Sequence, residues 1–324
     1  MKHNLKITAI LLLMFIVTQL IGIYVVNFYS PVKIVDGKTL NVSAPELPYG
    51  FQPPELKENR DFNFAFLSIL FSFIIAVSLL FLLTHFNAEF FLRLWFFIVV
   101  AIALGISFNV FLFDFMPFSV ILYSFPLPLS WTLASLLALP LAFVKIYKRK
   151  FLIHNITELF IYPGIAAVFV PILNIFTIIF LLVFISIYDM WAVWHSGIMQ
   201  KMAKYQINKL NIFSGFFVPY ISRELKLKLQ KMKSLSKSRK SKLKDKKIKV
   251  NVAILGGGDI VFPIITAGVM LKTLGLASAF LVIAGAALGL SYLFFFAEKK
   301  KFYPAMPFIS AGIFAGILVG YLLT

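Results

Sequence analysis

The chain has no cysteine among its 324 residues. Disulfides, thiolate metal sites and a cysteine nucleophile are thereby excluded. Acids are scarce: 13 Asp and Glu stand against 31 Lys and Arg, and charged residues make up 14 % of the chain. That is too little polar surface for a soluble protein of this length. None of the four histidines falls in a His-Glu-x-x-His pattern, which disfavours a zinc-hydrolase helix. No Gly-x-Ser-Gly occurs, which disfavours a serine nucleophile. The glycines at 256–258 are followed by no Lys-Ser/Thr pair, so they are not a phosphate loop.

What the chain has in quantity is apolar length. Sixty per cent of residues are hydrophobic, in runs near the roughly 20 residues that cross a bilayer. The fold class is an all-α polytopic membrane protein of about nine spans. Ile7–Phe28 reads as an uncleaved first helix, being longer than a signal-peptide core and lacking an Ala-x-Ala site. Phe62–Leu83 and Phe90–Phe113 follow. The fourth span comes after Pro126 and Pro128 and ends before the basic stretch Lys145–Lys150. Phe151–Leu173 is a fifth, interrupted at Pro163 and Gly164, and 174–194 a sixth. Val250–Met270, Leu274–Ala297 and Pro304 to the end complete the set. The chain divides into N-terminal helices, 1–173, and a second half, 174–324, with an inner loop at 196–249, all within one membrane domain.

Most of the +18 net charge lies in that loop. Between Gln200 and Val250 there are 16 Lys and Arg against Glu224 and Asp245, which is +14. Such a loop sets topology and binds anionic lipid rather than nucleic acid. Basic segments then fall on one side of the membrane, with the N-terminus inside and the C-terminus outside. Ile212–Ile221, apolar and aromatic within the loop, reads as an interfacial segment.

Against this background two acids are out of place. Asp189 and Asp259 sit well inside spans, where a charge is costly and marks a functional site. Asp114 and Glu158 lie near span ends, from which they can reach an interface. Asp189 and Asp259 lie on consecutive, oppositely directed helices, roughly 10–14 Å below the inner surface at 1.5 Å per residue. Two facing carboxyls in low dielectric share a proton. The ionised member can take a proton from water while the neutral member donates to a carbonyl, which hydrolyses an amide without metal or cofactor. The proton belongs to the pair, so base and acid are not assigned separately.

The surroundings fit that chemistry. Gly256 and Gly258 leave a helix face bare for close approach of another backbone. Pro263 offers no N–H to the Asp259 carbonyl, so a kink is expected there. Tyr303-Pro304-Ala305-Met306-Pro307 breaks the ninth span at the same level. Tyr188-Asp189, Gly256-Gly257-Gly258-Asp259 and Pro304-Ala305-Met306, in that order, resemble the Tyr-Asp, Gly-x-Gly-Asp and Pro-Ala-Leu elements of the presenilin and signal peptide peptidase family. Met306 in place of Leu is the departure. Pro307 and the N-inside orientation are closer to presenilin, in its prokaryotic form.

The resemblance implies an intramembrane aspartyl protease with Asp189 and Asp259 as the catalytic pair. Tyr188, Gly256, Gly257, Gly258, Pro304, Ala305 and Met306 would shape the substrate site. Substrates would be transmembrane proteins or membrane-retained signal peptides, unwound near the scissile bond and paired as an added strand. The location would be a prokaryotic cell membrane. The competing reading is a proton- or cation-coupled transporter using the same acids, though no internal inverted repeat is visible. Gly312, Gly316 and Gly320 form a small-residue face suited to helix packing. Trp191, Trp194 and His195 belong to an interfacial aromatic belt.

Overall fold

In hydrocarbon every backbone polar group needs a partner within the protein, so apolar runs of this length fold as helices. The computed structural model describes residues 5–35, 38–51, 54, 58–86, 88–113, 115, 119–122, 125–148, 150–195, 213–220, 251–297 and 303–323. Among them are nine α-helices: α1 Leu5–Tyr29, α2 Asn59–His85, α3 Glu89–Phe113, α4 Leu129–Phe143, α5 Phe151–Phe169, α6 Ile175–Trp194, α7 Gly258–Leu274, α8 Leu276–Phe296 and α9 Met306–Leu323. Three antiparallel hairpins accompany them. These are β1 Val32–Val35 with β2 Lys38–Asn41, β3 Ser119–Leu122 with β4 Phe125–Pro128, and β5 Gly215–Tyr220 with β6 Asn251–Gly256.

Eight of the described helices are long and apolar enough to cross a membrane by length and composition. The exception is α7, at 17 residues, and it corrects the sequence reading. The expected span Val250–Met270 is not one helix. Its first part is β6, and the helix starts only at Gly258. Within Ile212–Ile221, the described Gly215–Tyr220 forms the strand β5. The fourth span does not stop before Lys145, because α4 continues as a π turn over Val144–Lys148. Nor does α5 break at Pro163: it runs on to Phe169 and ends in a 3₁₀ turn at Val170–Ile172. Residues 221–250 and the basic turn at 298–301 lie outside the described residues.

The largest core cluster draws on α1, α5, α6, α7, α8, α9 and the β5–β6 hairpin. A second cluster joins α3, α4 and α5. Helix α5 is thus shared by both, with Gly164 pressed against the Ala103 carbonyl of α3. Among its described side chains, helix α2 contributes no buried residue to its span. Its Phe66 and Phe73 rings instead meet Phe180 and Phe184 of α6. At the end of α7, Gly275 has φ 93°, a left-handed turn that an L side chain would strain.

Helices α8 and α9 pack backbone to backbone, as the small-residue face predicts. A Cβ at Gly312 would stand 2.0 Å from the Gly285 carbonyl oxygen, and one at Gly285 2.1 Å from the Gly312 oxygen. Neither obstacle is a side chain that can swing aside. Gly312→Val is expected to cost about 1–3 kcal/mol or more, read as a lowered Tm in detergent. An unchanged Tm would contradict this packing.

Candidate active site

Helix α6 opens with a reciprocal cap: Asn174 Oδ1 accepts from Thr177 N at 2.8 Å, and Asn174 N donates to Thr177 Oγ1 at 2.9 Å. Its buried stripe runs Ile178, Leu182, Ile185 and then Asp189, a helical spacing. Asp189 therefore continues the core-facing row, five residues before the end at Trp194, and is only 6 % exposed.

Asp189 meets the start of α9. Its Oδ2 accepts the Met306 N–H at 3.1 Å, and the Ala305 N–H points at the same carboxyl. The first N–H groups of a helix have no intrahelical partner, so a carboxylate is a natural cap there. One turn away, Ser186 Oγ donates to Ser310 Oγ at 3.0 Å and ties the same two helices again. Pro304 is buried ahead of the cap, and Met306 is 3 % exposed.

Asp259 is built differently. It lies in the first turn of α7, directly after β6, rather than nine residues into a helix as the sequence predicts. The Gly256 N–H points at its carboxyl, and Asp189 is near enough for its charge to act on Asp259. The structure thus brings the two acids together.

The glycines lie at a strand-to-helix junction rather than inside a helix. Gly256 ends a strand and Gly258 starts the helix, with only the Phe262 ring near where its Cβ would be, at 3.8 Å. Gly257 is the crowded one. A Cβ there would stand 2.8 Å from both Ser214 Oγ and the Tyr162 hydroxyl, and Gly257 N donates to the Ser214 carbonyl at 3.2 Å. Helix α7 continues through Pro263, and Gln19 Nε2 of α1 donates to the Ile260 carbonyl at 3.0 Å. Tyr188, next to Asp189 on α6, turns its ring toward α2. Its ring packs edge-on against Phe73 of α2, centroids 5.5 Å apart.

Several residues near the site escape the sequence reading. Glu158 does not reach an interface: it is 1 % exposed and ion-paired with Lys145, itself 6 % exposed. His154 stands 3.4 Å from Glu158 and 3.3 Å from Lys145. The His154–Glu158 spacing of four was the one available signal, and it was silent about Lys145 on another helix. Beside α7 an apolar groove of about 730 Å³ opens between α2, α5, α6 and α7, with Ser72, Phe73, Phe169, Phe184, Val261 and Phe262 in its walls.

Comparison with known proteins agrees with this architecture. The family model described as signal-peptide peptidase, presenilin aspartyl protease matches residues 39–324. Two solved structures share the fold, both of a presenilin family intramembrane aspartate protease, in C222 and P2 crystals. The first is 16 % identical with a TM-score of 0.57, covering 98 % of this chain and 99 % of the other. The second is 16 % identical with a TM-score of 0.56, covering 97 % of each. No curated protein sequence matches the chain.

The crowding at Gly257 yields a prediction. Gly257→Ala is expected to destabilise by about 1–3 kcal/mol, and adding Tyr162→Phe, which removes one obstructing oxygen, is expected to recover part of the lost Tm. No recovery in the double variant would mean that the hydroxyl is not the obstacle.

Proposed function

Since the chain belongs to the signal-peptide peptidase and presenilin aspartyl protease family, it is an intramembrane aspartyl protease, and we propose that Asp189 and Asp259 are its catalytic pair. The observation that carries this is their convergence. Two acids 70 positions apart stand within electrostatic reach, Asp189 receiving the N–H groups of Ala305 and Met306 at the start of α9 and Asp259 that of Gly256 at the end of β6. Fixed donors of this kind cost no reorganisation as charge develops.

The pair holds one proton between two carboxyls. The ionised member removes a proton from water, whose oxygen attacks the scissile carbonyl, and the neutral member donates to the carbonyl oxygen. The resulting diol collapses as the amine leaves with a proton returned by the pair. Pro304, Ala305 and Met306 hold Asp189 at its height. Gly256, Gly257 and Gly258 let the chain turn from strand to helix beside Asp259. Tyr188 lines the approach with Phe73.

The substrate is a transmembrane segment or a membrane-retained signal peptide. We place its helical part in the groove between α2 and α6, a volume in the usual range for ligand sites. Its unwound part adds to β6, whose Val252 and Ile254 are 43 % and 42 % exposed. Strand addition satisfies the backbone of a peptide opened for cleavage. The transporter reading finds no support in family or fold. The loop at 196–249 binds anionic lipid on the inner face of a prokaryotic cell membrane, with the N-terminus inside. Residues 1–173 and 174–324 act as one domain, the second part carrying the acids.

Purified protein should cut a synthetic transmembrane peptide, and Asp189→Asn or Asp259→Asn should lower the rate roughly 10²–10⁴-fold or more. A hydroxyl-bearing transition-state mimic should block the parent enzyme. Cleavage at the parent rate in either variant would overturn the assignment.

Topology is tested with single cysteines in this cysteine-free chain. One at residue 323 should react with an impermeant reagent in intact cells, and one at residue 240 only after permeabilisation. The reverse pattern would overturn the orientation.

A further inference from the structure

In a two-stranded antiparallel pair, alternate residues turn their N–H and C=O groups away from the partner. On β5 these are Gly215, Phe217 and Pro219, facing Gly256, Ile254 and Val252 across the pair. That outer edge of β5 is closed by α5. His154 Nε2 donates to the Gly215 carbonyl at 2.9 Å. The Asn155 carboxamide makes two bonds to Phe217, donating to its carbonyl at 3.0 Å and accepting its N–H at 3.2 Å. Pro219 has no N–H to offer. Asn155 thus substitutes for the peptide group of a third strand.

The residues doing this are themselves held. A carbonyl can only accept, so the His154 proton is on Nε2, and its Nδ1 accepts from the Lys145 ammonium at 3.3 Å. Lys145 also pairs with Glu158. The His154 and Phe151 rings flank the Phe217 ring at 4.6 and 5.1 Å. Two turns further along the same helix face, Tyr162 sets its ring edge-on to Phe216 at 6.2 Å and its hydroxyl against Gly257. Residues 154, 158 and 162 recur every four positions, so a single face of α5 addresses the hairpin from Gly215 to Gly257. The hairpin carries Asp259 two residues beyond.

We propose that this face of α5 is a dock for β5 and that His154 and Asn155 are positioning residues of the proteolytic reaction. They touch neither acid. They fix β5, β5 fixes β6 through the ladder, and β6 fixes where the Asp259 carboxyl stands relative to Asp189 and to the bond presented for cleavage. The inference rests on the reading of Asp259 as catalytic. It predicts a particular failure: with the dock loosened, substrate still binds, but the bond is presented out of register.

The test uses the full chain in detergent with a synthetic transmembrane peptide, and reads kcat, KM, the distribution of cut positions by mass, and Tm. Asn155→Leu keeps the size and loses both bonds. It should lower kcat at least 10-fold, leave KM within about threefold, and spread cleavage over neighbouring bonds. His154→Gln retains a donor and an acceptor and should keep near-parent cut positions, whereas His154→Leu should not. If Asn155→Leu does not fold, Asn155→Asp, which keeps the acceptor and loses the donor, should give an intermediate shift in cut positions.

Parent kcat and cut positions in a folded Asn155→Leu or Asn155→Asp overturn the proposal. So does a loss of activity that only tracks the folded fraction, with unchanged cut positions. The Asp259→Asn control separates the two readings: cleavage surviving in it refutes the catalytic pair itself, whereas its absence with unaltered dock variants refutes only the dock.

Discussion

The carboxyl of Asp189 accepts the first N–H groups of a helix that begins 117 residues later. The rest of the site depends on this bond. In water a helix start can be capped by solvent or by its own side chain. In hydrocarbon the unpaired N–H groups cost several kcal/mol each, and Pro304 and Ala305 bring no side chain able to serve. Without Asp189 the start of α9 has lost its cap, and without the start of α9 a buried carboxylate has lost its donors. The two elements therefore fix each other's height in the membrane. Ser186 and Ser310, one turn along each helix, repeat the link.

Asp259 has no comparable helix–helix bond and is supported from behind. The Lys145–Glu158 pair is weak evidence for stability, because the cost of desolvating two charges offsets their attraction. Its value is in geometry: a paired, buried cluster has few alternatives and orients His154 toward β5. The two prolines within α5 and α7 are handled alike. Pro163 and Pro263 each leave the carbonyl four residues earlier without its usual donor, at Leu159 and Asp259. In each case the next carbonyl along receives a side-chain donor from a neighbouring helix. Ser107 of α3 donates to Phe160 at 2.5 Å, and Gln19 of α1 donates to Ile260 at 3.0 Å. Both helices continue through a residue that ordinarily breaks them, and at each a neighbouring helix is bonded to the carbonyl beside the one left without its donor.

Pro163 misleads a sequence reader, who sees the proline and not the packing of α5 against α3 that holds the helix through it. The nine-helix plan was legible because bilayer length and backbone satisfaction leave few choices. The two acids were legible because charge at that depth is rare. The hairpin was not. In Asn251–Gly256, Ala253 and Leu255 are buried while Val252 and Ile254 are exposed, a strand's period of two. All four are apolar, however, so the alternation leaves no polar trace, and the run merges into the helix that follows. Glu158 was misread for a related reason. It lies eight residues into α5 counting from Phe151, where an acid can reach water, and only the tertiary fold brings Lys145 to meet it.

The two acids are thus mounted on unlike supports, and the difference bears on how the site can work. Asp189 is on a continuous helix, clamped to a second one by two side-chain contacts. Asp259 sits at a strand-to-helix junction whose position is set by a ladder and by a dock on α5. A helix clamped in this way moves as a body. A strand edge, by contrast, gains bonds when another strand is laid beside it, and each added bond restricts the junction further. Substrate that pairs with β6 would stiffen the mount of Asp259 while leaving that of Asp189 unchanged. On the proposed pairing with β6, presentation of an extended peptide would be coupled to alignment of the pair, and a helical segment lodged in the groove without unwinding would not provide that alignment.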